Sequence, residues 1–598
     1  MVPLSKFDTI VYKEPKISRF DQPIDNIVGF DSEAYQNGTT FMFCTSEGDV
    51  IAPPDLLDTL LEKYLGTNFV VWNLKYESGA ILKLLPRPVL LKLQKEHLAI
   101  YKHKDVPLEI KYVPHKHLRI KQAEVVRGKS VRFWDMAPFY GRTTLEKATS
   151  DYLGEHKLDM SPDLFSIEYV AEHFDEISKY CVQDSCLTKK LAVLWIKKFE
   201  ETGIPVSSLY SEASISFSYF SRKTEIITPY EFWTYKKRLL QYAFESYEGG
   251  KFEVLARGKF EGREYDISSA YPYQISQLID IRGAEVIYSK NYIKEATYGF
   301  LRVRIRVSDP TVHLPCGVFK RLRIYPMGKY YLTITKQEYD YIETELAGRA
   351  TVTILDGAWM ILRRNSYPYR DIITELYEAK SKWKKKDRLR SNNYKIIMNG
   401  FYGKMAQCLR STEDEYVAGI GWNPVYASII TANTRIAVTR LQNVLGDECL
   451  AVHTDSVISR VTIPDQFIGE KLGDFQLVEV GSGYIVASGI YEINNIPALR
   501  GFKRKSIYNI LKENSGKTQI TLTSRHVESW LQAMAQGHDI DCINRFAEVG
   551  KVLSLNCDTK RLWPEDVCTD DLLNKLQFSA PRVENQCEPP AFWGKVCP

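Results

Sequence analysis

Apolar residues recur with two different periods along the chain, and the switches between them outline the elements. The stretches NIVGFDSEAY, FMFCTSEGDVIAP, NFVVWNLKYES and SVRFWDMAP carry short runs rich in Val, Ile and aromatic residues, which predict strands. DEISKYCVQDSCLTKKLAVLWIKKF has the spacing of a long helix, so the first 190 or so residues are expected to form an α/β domain. A boundary is expected near ETGIPVS, and a glycine-bearing connector, SYEGGKFEVLARGKFEG, leads to a strand-like segment at Arg263 to Ile267.

Residues 290 to 360 read as alternating strands with one helix. Two helical stretches follow, Tyr369 to Lys386 and Asn392 to Lys404, broken near Ser391, which predicts a helical hairpin. Asn423-Pro424 opens a further helix with an N-cap and a first-turn proline, Ile430, Ala437, Leu441 and Val444 share a face, and Gly446 closes it. The segment CLAVHTDSVISRV has apolar runs on both sides of a polar tip, the pattern of a β-hairpin presenting Thr454, Asp455 and Ser456.

Composition narrows the class. With 598 residues, 44% hydrophobic and 26% charged, the chain is globular with roughly four domain-sized units, and disorder, collagen and coiled coil are excluded. No run reaches the roughly 20 apolar residues of a membrane helix, and MVPLSKFDTIVYKEP lacks the apolar core of a signal peptide, so no membrane association and a cytoplasmic location are expected. Eleven cysteines include no C-x-x-C pair, and those from Cys542 to Cys597 are expected to be buried structural residues. The net charge of +5 conceals a local concentration: Lys380, Lys382, Lys384, Lys385, Lys386, Arg388 and Arg390 could neutralise phosphates, although such a run alone is equally a solvated helix face.

Two sets of acids stand at strand ends. Asp31 and Glu33 in GFDSEA lie two residues apart and share one strand face, where like charges repel unless a cation lies between them. Glu77 in WNLKYESGA and Asp184 in KYCVQDS could complete a cage for two divalent metals about 4 Å apart, the arrangement for phosphodiester hydrolysis, with Tyr180 orienting water from one turn before Asp184. The second set is Asp266 in EYDISSAYP and Asp455 in VHTDS, each where a strand gives way to a turn, a pair suited to nucleotidyl transfer. Between them Lys395, Asn399 and Tyr402 recur at spacings of four and three, putting a cation, an amide and an aromatic ring on one helix face. Any of these residues alone is more often an ordinary surface or core residue; the ordered combination carries the chemistry.

In order, FDSEA, WNLKYE and YCVQD resemble the three exonuclease motifs of the family B DNA polymerases, and DISSAYP, KIIMNGFYG and HTDS resemble their polymerase motifs A, B and C. Tyr247-Glu248-Gly249-Gly250 is similar to the YxGG element joining the two activities, and the likeness is greatest to the protein-primed branch of phages, viruses and linear plasmids. The resemblance implies an α/β and α+β multidomain fold, with an RNase H-like 3′–5′ exonuclease domain followed by a right-hand polymerase. It assigns 1–190 to the exonuclease domain, 191–262 to a connector, 263–282 and 425–495 to the palm and 283–360 to an insertion that docks a terminal protein. The fingers would be 361–404, a shortened second insertion 405–424, and the thumb and C-terminal region 496–598.

The resemblance further implies that Asp266, Asp455 and the Ile267 carbonyl bind two Mg2+, or Mn2+, for polymerisation, and that Asp31, Glu33, Glu77 and Asp184, with Tyr180 and Lys157, serve the exonuclease. Tyr271, Ser269, Lys395, Asn399, Tyr402 and Lys384 would hold the deoxynucleoside triphosphate, Tyr271 excluding a 2′-hydroxyl. Primer-template DNA would meet Tyr247, Gly249, Gly250, Asn73, Tyr76, Gly400, Gly403, Lys404, Tyr491, Arg500 and Lys503. Three departures stand out: His453 where motif C usually has its first Asp, Glu77 where the second exonuclease motif usually has Asp, and Gly489 where the KxY motif before Tyr491 usually has Lys. The expected function is a proofreading DNA-directed DNA polymerase replicating a viral or plasmid genome and primed by a terminal protein. The alternatives are a nucleic-acid-primed relative and a DNA-binding nuclease with an impaired polymerase site.

Overall fold

The strand Ile27–Ala34 organises the N-terminal domain: it is largely buried on both faces, as a strand inside a partly parallel sheet is, although it carries Asp31, Ser32 and Glu33. The computed structural model describes residues 3–17, 22–125, 129–161, 164–410, 415–502 and 505–593. In it, an eight-stranded sheet runs in the order Val50–Ile51, Thr40–Thr45, Ile27–Ala34, Asn68–Val71, Ser130–Asp135, His117–Gln122, Val106–Val113, Leu98–His103. Ile27–Ala34, Asn68–Val71 and Ser130–Asp135 are mutually parallel at the centre. The helix Phe174–Glu200 packs across Ile27–Ala34, and a side chain at Gly29 would lie 1.8 Å from the Ser185 carbonyl oxygen, so glycine sets that close approach. This helix buries Leu191, Ala192, Trp195, Ile196 and Phe199, so a domain limit at 190 would cut it; the element runs on to Glu200.

A second eight-stranded sheet holds the expected palm. Its order is Lys251–Val254, Cys449–Thr454, Ser456–Ser459, Ala256–Ile267, Phe475–Ala487, Ile490–Ile493, Ile496–Leu499, with Leu576–Phe578 pairing onto Ala256–Ile267. Pro424–Leu445 backs this sheet: the Asn423 side chain accepts from the Tyr426 amide, Pro424 opens the first turn and Gly446 ends the helix, as the sequence predicts. The helical hairpin is Arg370–Trp383 and Arg388–Met405, broken at Lys384 to Asp387 rather than near Ser391, because the Asp387 side chain caps the second helix.

The region from 283 to 361 forms a separate sheet, Glu285–Tyr288, Ala350–Ile361, Tyr298–Val307 and Met327–Thr335, with Lys336–Glu345 packed on it. Its fifth strand, Val583–Asn585, arrives from the far end of the chain and runs parallel to Met327–Thr335. Between Arg388–Met405 and the Pro424 helix, among the described residues, Cys408–Arg410 and Tyr416–Ala418 form strands, joined by N-terminal Ile10–Val11.

The last hundred residues do not form one block. The hairpin Gln519–Val527 and Phe546–Ser554 encloses the helix Trp530–Gln536, whose Trp530, Ala533 and Met534 are buried in the core of the N-terminal domain. Lys83 Nζ donates to the carbonyls of Asp541 and Ile543, and Asn544 Nδ2 to that of Tyr76. The cysteines there are not buried structural residues: Cys557 and Cys587 are exposed and Cys542 and Cys568 half-buried, while Cys597 lies outside the described residues. Cys542 closes the short turn Ile540–Cys542, Cys568 caps the helix Thr569–Asn574, and Cys557 and Cys587 lie in loops, so none stands on the inner face of a regular element. Among the described residues no helix is long and apolar enough to cross a membrane.

Candidate functional site

Three elements converge on the first carboxylate set. Ile27–Ala34 presents Asp31 and Glu33 from one face, as period-two geometry requires. Asn68–Val71 ends in a left-handed turn at Asn73, φ 77°, which starts the helix Leu74–Leu82 and delivers Glu77. Phe174–Glu200 supplies Tyr180, Cys181 and Asp184. The ligating atoms of Asp31, Glu33 and Cys181 all lie within 4.8 Å of one another. Glu77 accepts from Ser32 Oγ at 2.5 Å, and Lys157 Nζ pairs with Asp184 and donates to Tyr180 OH at 2.8 Å.

Electrostatics follow from burial. Desolvation, then the neighbouring Asp184 charge, pushes the Asp31 carboxyl up to about 8. Burial followed by Asp31 raises Glu33 and Glu77 well above the carboxylate range. Burial raises Asp184 as well, against the opposing pull of Lys157, and its Oδ1 accepts no hydrogen bond. Four acids crowded in low dielectric with one cation, and one oxygen left without a donor, form a donor set that fits divalent metal. Sequence reasoning missed Cys181; its spacing of three from Asp184 puts both on one helix face, but a lone cysteine in a helix gives no signal by itself.

The second set lines an open cleft of about 830 Å³. Asp266 ends its strand opposite Ser456, and Asp455 sits at the hairpin tip, where Thr454 takes φ 63°. The Ile267 amide donates to the Asp455 carbonyl at 2.9 Å, tying the two acidic turns together. Asp266, Asp455, Ile267, Ser269, Tyr271, Lys384, Lys395 and Asn399, all expected from sequence, line this cleft. Lys380 and Arg388 of the basic run line it too, with Asn392, Gln476 and the N-terminal domain's Tyr140 and Tyr152, which the sequence reading did not select. Lys380 Nζ donates to Ser269 Oγ at 2.9 Å. The run from 380 to 390 had offered the signal, but only the hairpin geometry separates Lys380, Lys384 and Arg388 from the members that face away. Burial, then Asp455 and Glu264, raises Asp266 to about 7, with Lys395 and Lys380 opposing.

Tyr402 stands behind the cleft: its hydroxyl is 2.6 Å from that of Tyr247, and its ring lies 4.6 Å from Tyr271. Tyr271 is thus wedged by an aromatic pair anchored in the YxGG element. Arg435, fully buried, donates to the Glu248 and Gly249 carbonyls and to Glu338 at 2.7 Å, fixing that element from beneath. A side chain at Gly250 would come within 2.5 Å of Thr454, so glycine lets the element touch the Asp455 hairpin; Gly249 faces open space. Gly400 meets another helix instead: its missing Cβ is filled by Ser216 at 2.7 Å, a packing position rather than an open surface, whereas Gly403 is exposed.

His453 points away from the metal-type acids, with its ring stacked 4.8 Å from Tyr491 and burial, then Lys560, lowering it to about 4. Tyr491 OH donates to Glu264 at 2.8 Å, and the Gly489 amide to His453 Nε2 at 3.5 Å. The imidazole is therefore neutral at pH 7. Tyr76 lies beside the first set, Asn73 is exposed, Lys404 donates to Gln407, and Arg500 covers Phe252 at 5.2 Å; Lys503 lies outside the described residues.

Comparisons with solved structures return the same architecture. Phi29 DNA polymerase, complexed with primer-template DNA and incoming nucleotide substrates, matches with TM-score 0.64 at 14% identity, covering 89% of this chain and 100% of that one. Phi29 DNA polymerase complexed with single-stranded DNA gives 0.62 at 13% identity, with 89% and 100% covered. The fold is that of a multidomain polymerase, an exonuclease domain followed by palm, fingers and thumb. Residues 167–435 match the family model for DNA polymerase type B, organellar and viral. The DNA polymerase of Acidianus bottle-shaped virus (isolate Italy/Pozzuoli) is 25% identical over 437 residues, 65% of this chain and 63% of the viral protein. The chain thus spans less than two thirds of that relative's length.

Proposed function

We propose that the protein is a DNA-directed DNA polymerase with a 3′–5′ proofreading exonuclease, replicating a viral or plasmid genome. The cleft that gathers Asp266, Asp455, Tyr271, Lys380, Lys384 and Lys395 is the observation that carries this reading. Two Mg2+ ions, or Mn2+, held by Asp266, Asp455 and the Ile267 carbonyl, would supply the Lewis acidity for in-line attack by the primer hydroxyl. Lys380, Lys384, Lys395 and Arg388 neutralise the triphosphate, and Asn399 faces it from the same helix. Tyr271, backed by Tyr402, leaves no room for a 2′-hydroxyl and selects deoxynucleotides. Tyr247, Gly249, Gly250, Gly403, Lys404, Tyr491, Arg500 and Lys503 hold the primer-template.

The first set serves hydrolysis of the primer end. Divalent metal held by Asp31, Glu33 and Asp184, with Glu77 bracing through Ser32, would activate water for attack on the last phosphodiester. Tyr180 orients that water, Lys157 meets the scissile phosphate, and Asn73 and Tyr76 receive the single strand. Priming by a terminal protein goes with the sequence resemblance of the region 283–360, whose strands form a sheet separate from that of Asp266 and Asp455. A host-cell cytoplasmic location goes with this reading.

The test is a 5′-labelled primer on a longer template with Mg2+, followed with and without deoxynucleotides. Lengthening with nucleotides and shortening without them is expected; shortening under both conditions would refute the polymerase assignment.

A further inference from the structure

We infer that Cys181 is a ligand in the carboxylate cage of the N-terminal domain, which makes the cage an S,O,O site for a borderline-soft divalent cation of the Zn2+ and Cd2+ class. Asp31, Glu33 and Cys181 offer three ligand atoms within 4.8 Å of one another, one thiol and two carboxylates, from a strand and a helix that cross tightly at Gly29. Such a triad on rigid elements is pre-organised, and adding sulfur to oxygen donors shifts preference from Mg2+ towards zinc-like ions.

A second observation points to a ligand at the same place. Asp184, three residues beyond Cys181 on the same helix face, is 3% exposed, yet its Oδ1 accepts no hydrogen bond. A buried carboxylate oxygen without a donor is costly unless a cation completes it. Its other oxygen pairs with Lys157, and the Asp184 charge acts on both Asp31 and Glu33, so the unpartnered oxygen belongs to the same electrostatic cluster. Asp31 is half-buried by surface exposure, whereas Cys181 is fully enclosed.

The competing role for Cys181 is packing. Its apolar neighbours Met42, Cys44, Phe165 and Ile177 form a small cluster behind it. Packing alone does not call for a thiol whose sulfur lies within 4.8 Å of two carboxylate oxygens, where an alanine or valine would avoid setting them against a polar atom. Thiolate ligation releases the Cys181 proton to solvent as the metal binds, and involves no redox step.

The inference rests on the proofreading reading only for its consequence, namely that zinc-class ions compete with Mg2+ at this centre. The test is a Cd2+ titration of the metal-free full chain, read by the ultraviolet thiolate-to-cadmium charge-transfer band. The band is expected to lose its tightest component in Cys181→Ser. In Asp31→Asn with Glu33→Gln, which keeps the thiol, that component is expected to shift to at least about tenfold higher Cd2+. A tight component that survives Cys181→Ser, or one indifferent to the two carboxylate changes, overturns the inference. If Cd2+ binds as expected but no divalent metal supports primer shortening, the proofreading reading falls and the metal site stands. Shortening with Mg2+ and no Cys181-dependent band leaves the reverse.

Discussion

The two carboxylate centres use the same acids in opposite electrostatic settings. Among the described residues, the acids and thiol of the N-terminal cage have Lys157 as their nearby cation, whereas in the cleft Asp266 and Asp455, with Glu264 beside them, face Lys380, Lys384, Lys395 and Arg388. The difference matches the charge each substrate brings. A triphosphate carries several negative charges and needs cations fixed in the protein, while the end of a single strand presents one phosphodiester and leaves charge balance to metal. The burial contrast agrees: Glu33, Glu77 and Asp184 are enclosed, whereas Lys395 and Asn399 stand exposed on the cleft wall.

The comparison breaks most sharply at the acids. Asp455→Ala is expected to lower nucleotide addition by about 10³-fold or more and to leave primer shortening in place, measured on one labelled substrate. Next come the cations: Lys395→Ala should cost about 10²-fold in kcat/KM for nucleotide and nothing in shortening, since no equivalent cation is shared. An equal loss in both activities would show that the centres are not electrostatically separate.

Smaller effects sharpen the picture. Tyr271→Ala should raise ribonucleotide incorporation relative to deoxynucleotide by about 10²-fold in single-nucleotide kinetics, and Tyr402→Phe far less, because Tyr402 acts only behind Tyr271. The smallest concerns Lys404, which burial, then Lys116, lowers to about 8. It is charged at pH 7 and neutral at pH 9, so the salt slope of primer-template binding should shrink by about one over that range, and Lys404→Gln should remove the change. A slope independent of pH in the wild type would take Lys404 off the DNA path.

Local chemistry was legible and long-range return was not. Asp31 with Glu33, the Asp455 hairpin tip and the Asn423 cap follow from spacing, because period and capping act within a few residues. The docking of Trp530 into the N-terminal core and the pairing of Val583–Asn585 with Met327–Thr335 join segments hundreds of residues apart, which no local period encodes. His453 was visible as a departure, but that its ring would turn onto Tyr491 and stay neutral needed the Thr454 backbone conformation. Gly400 was assigned to the DNA path by resemblance; the crossing helix that fills its place lies nearly two hundred residues earlier in the chain.

The most direct test of two independent centres is one gel, comparing Asp31→Ala with Glu33→Ala against Asp266→Ala on the same labelled primer-template, with and without nucleotides. The account predicts a crossover, extension without shortening in the first variant and shortening without extension in the second. Loss of both activities in either variant would contradict it.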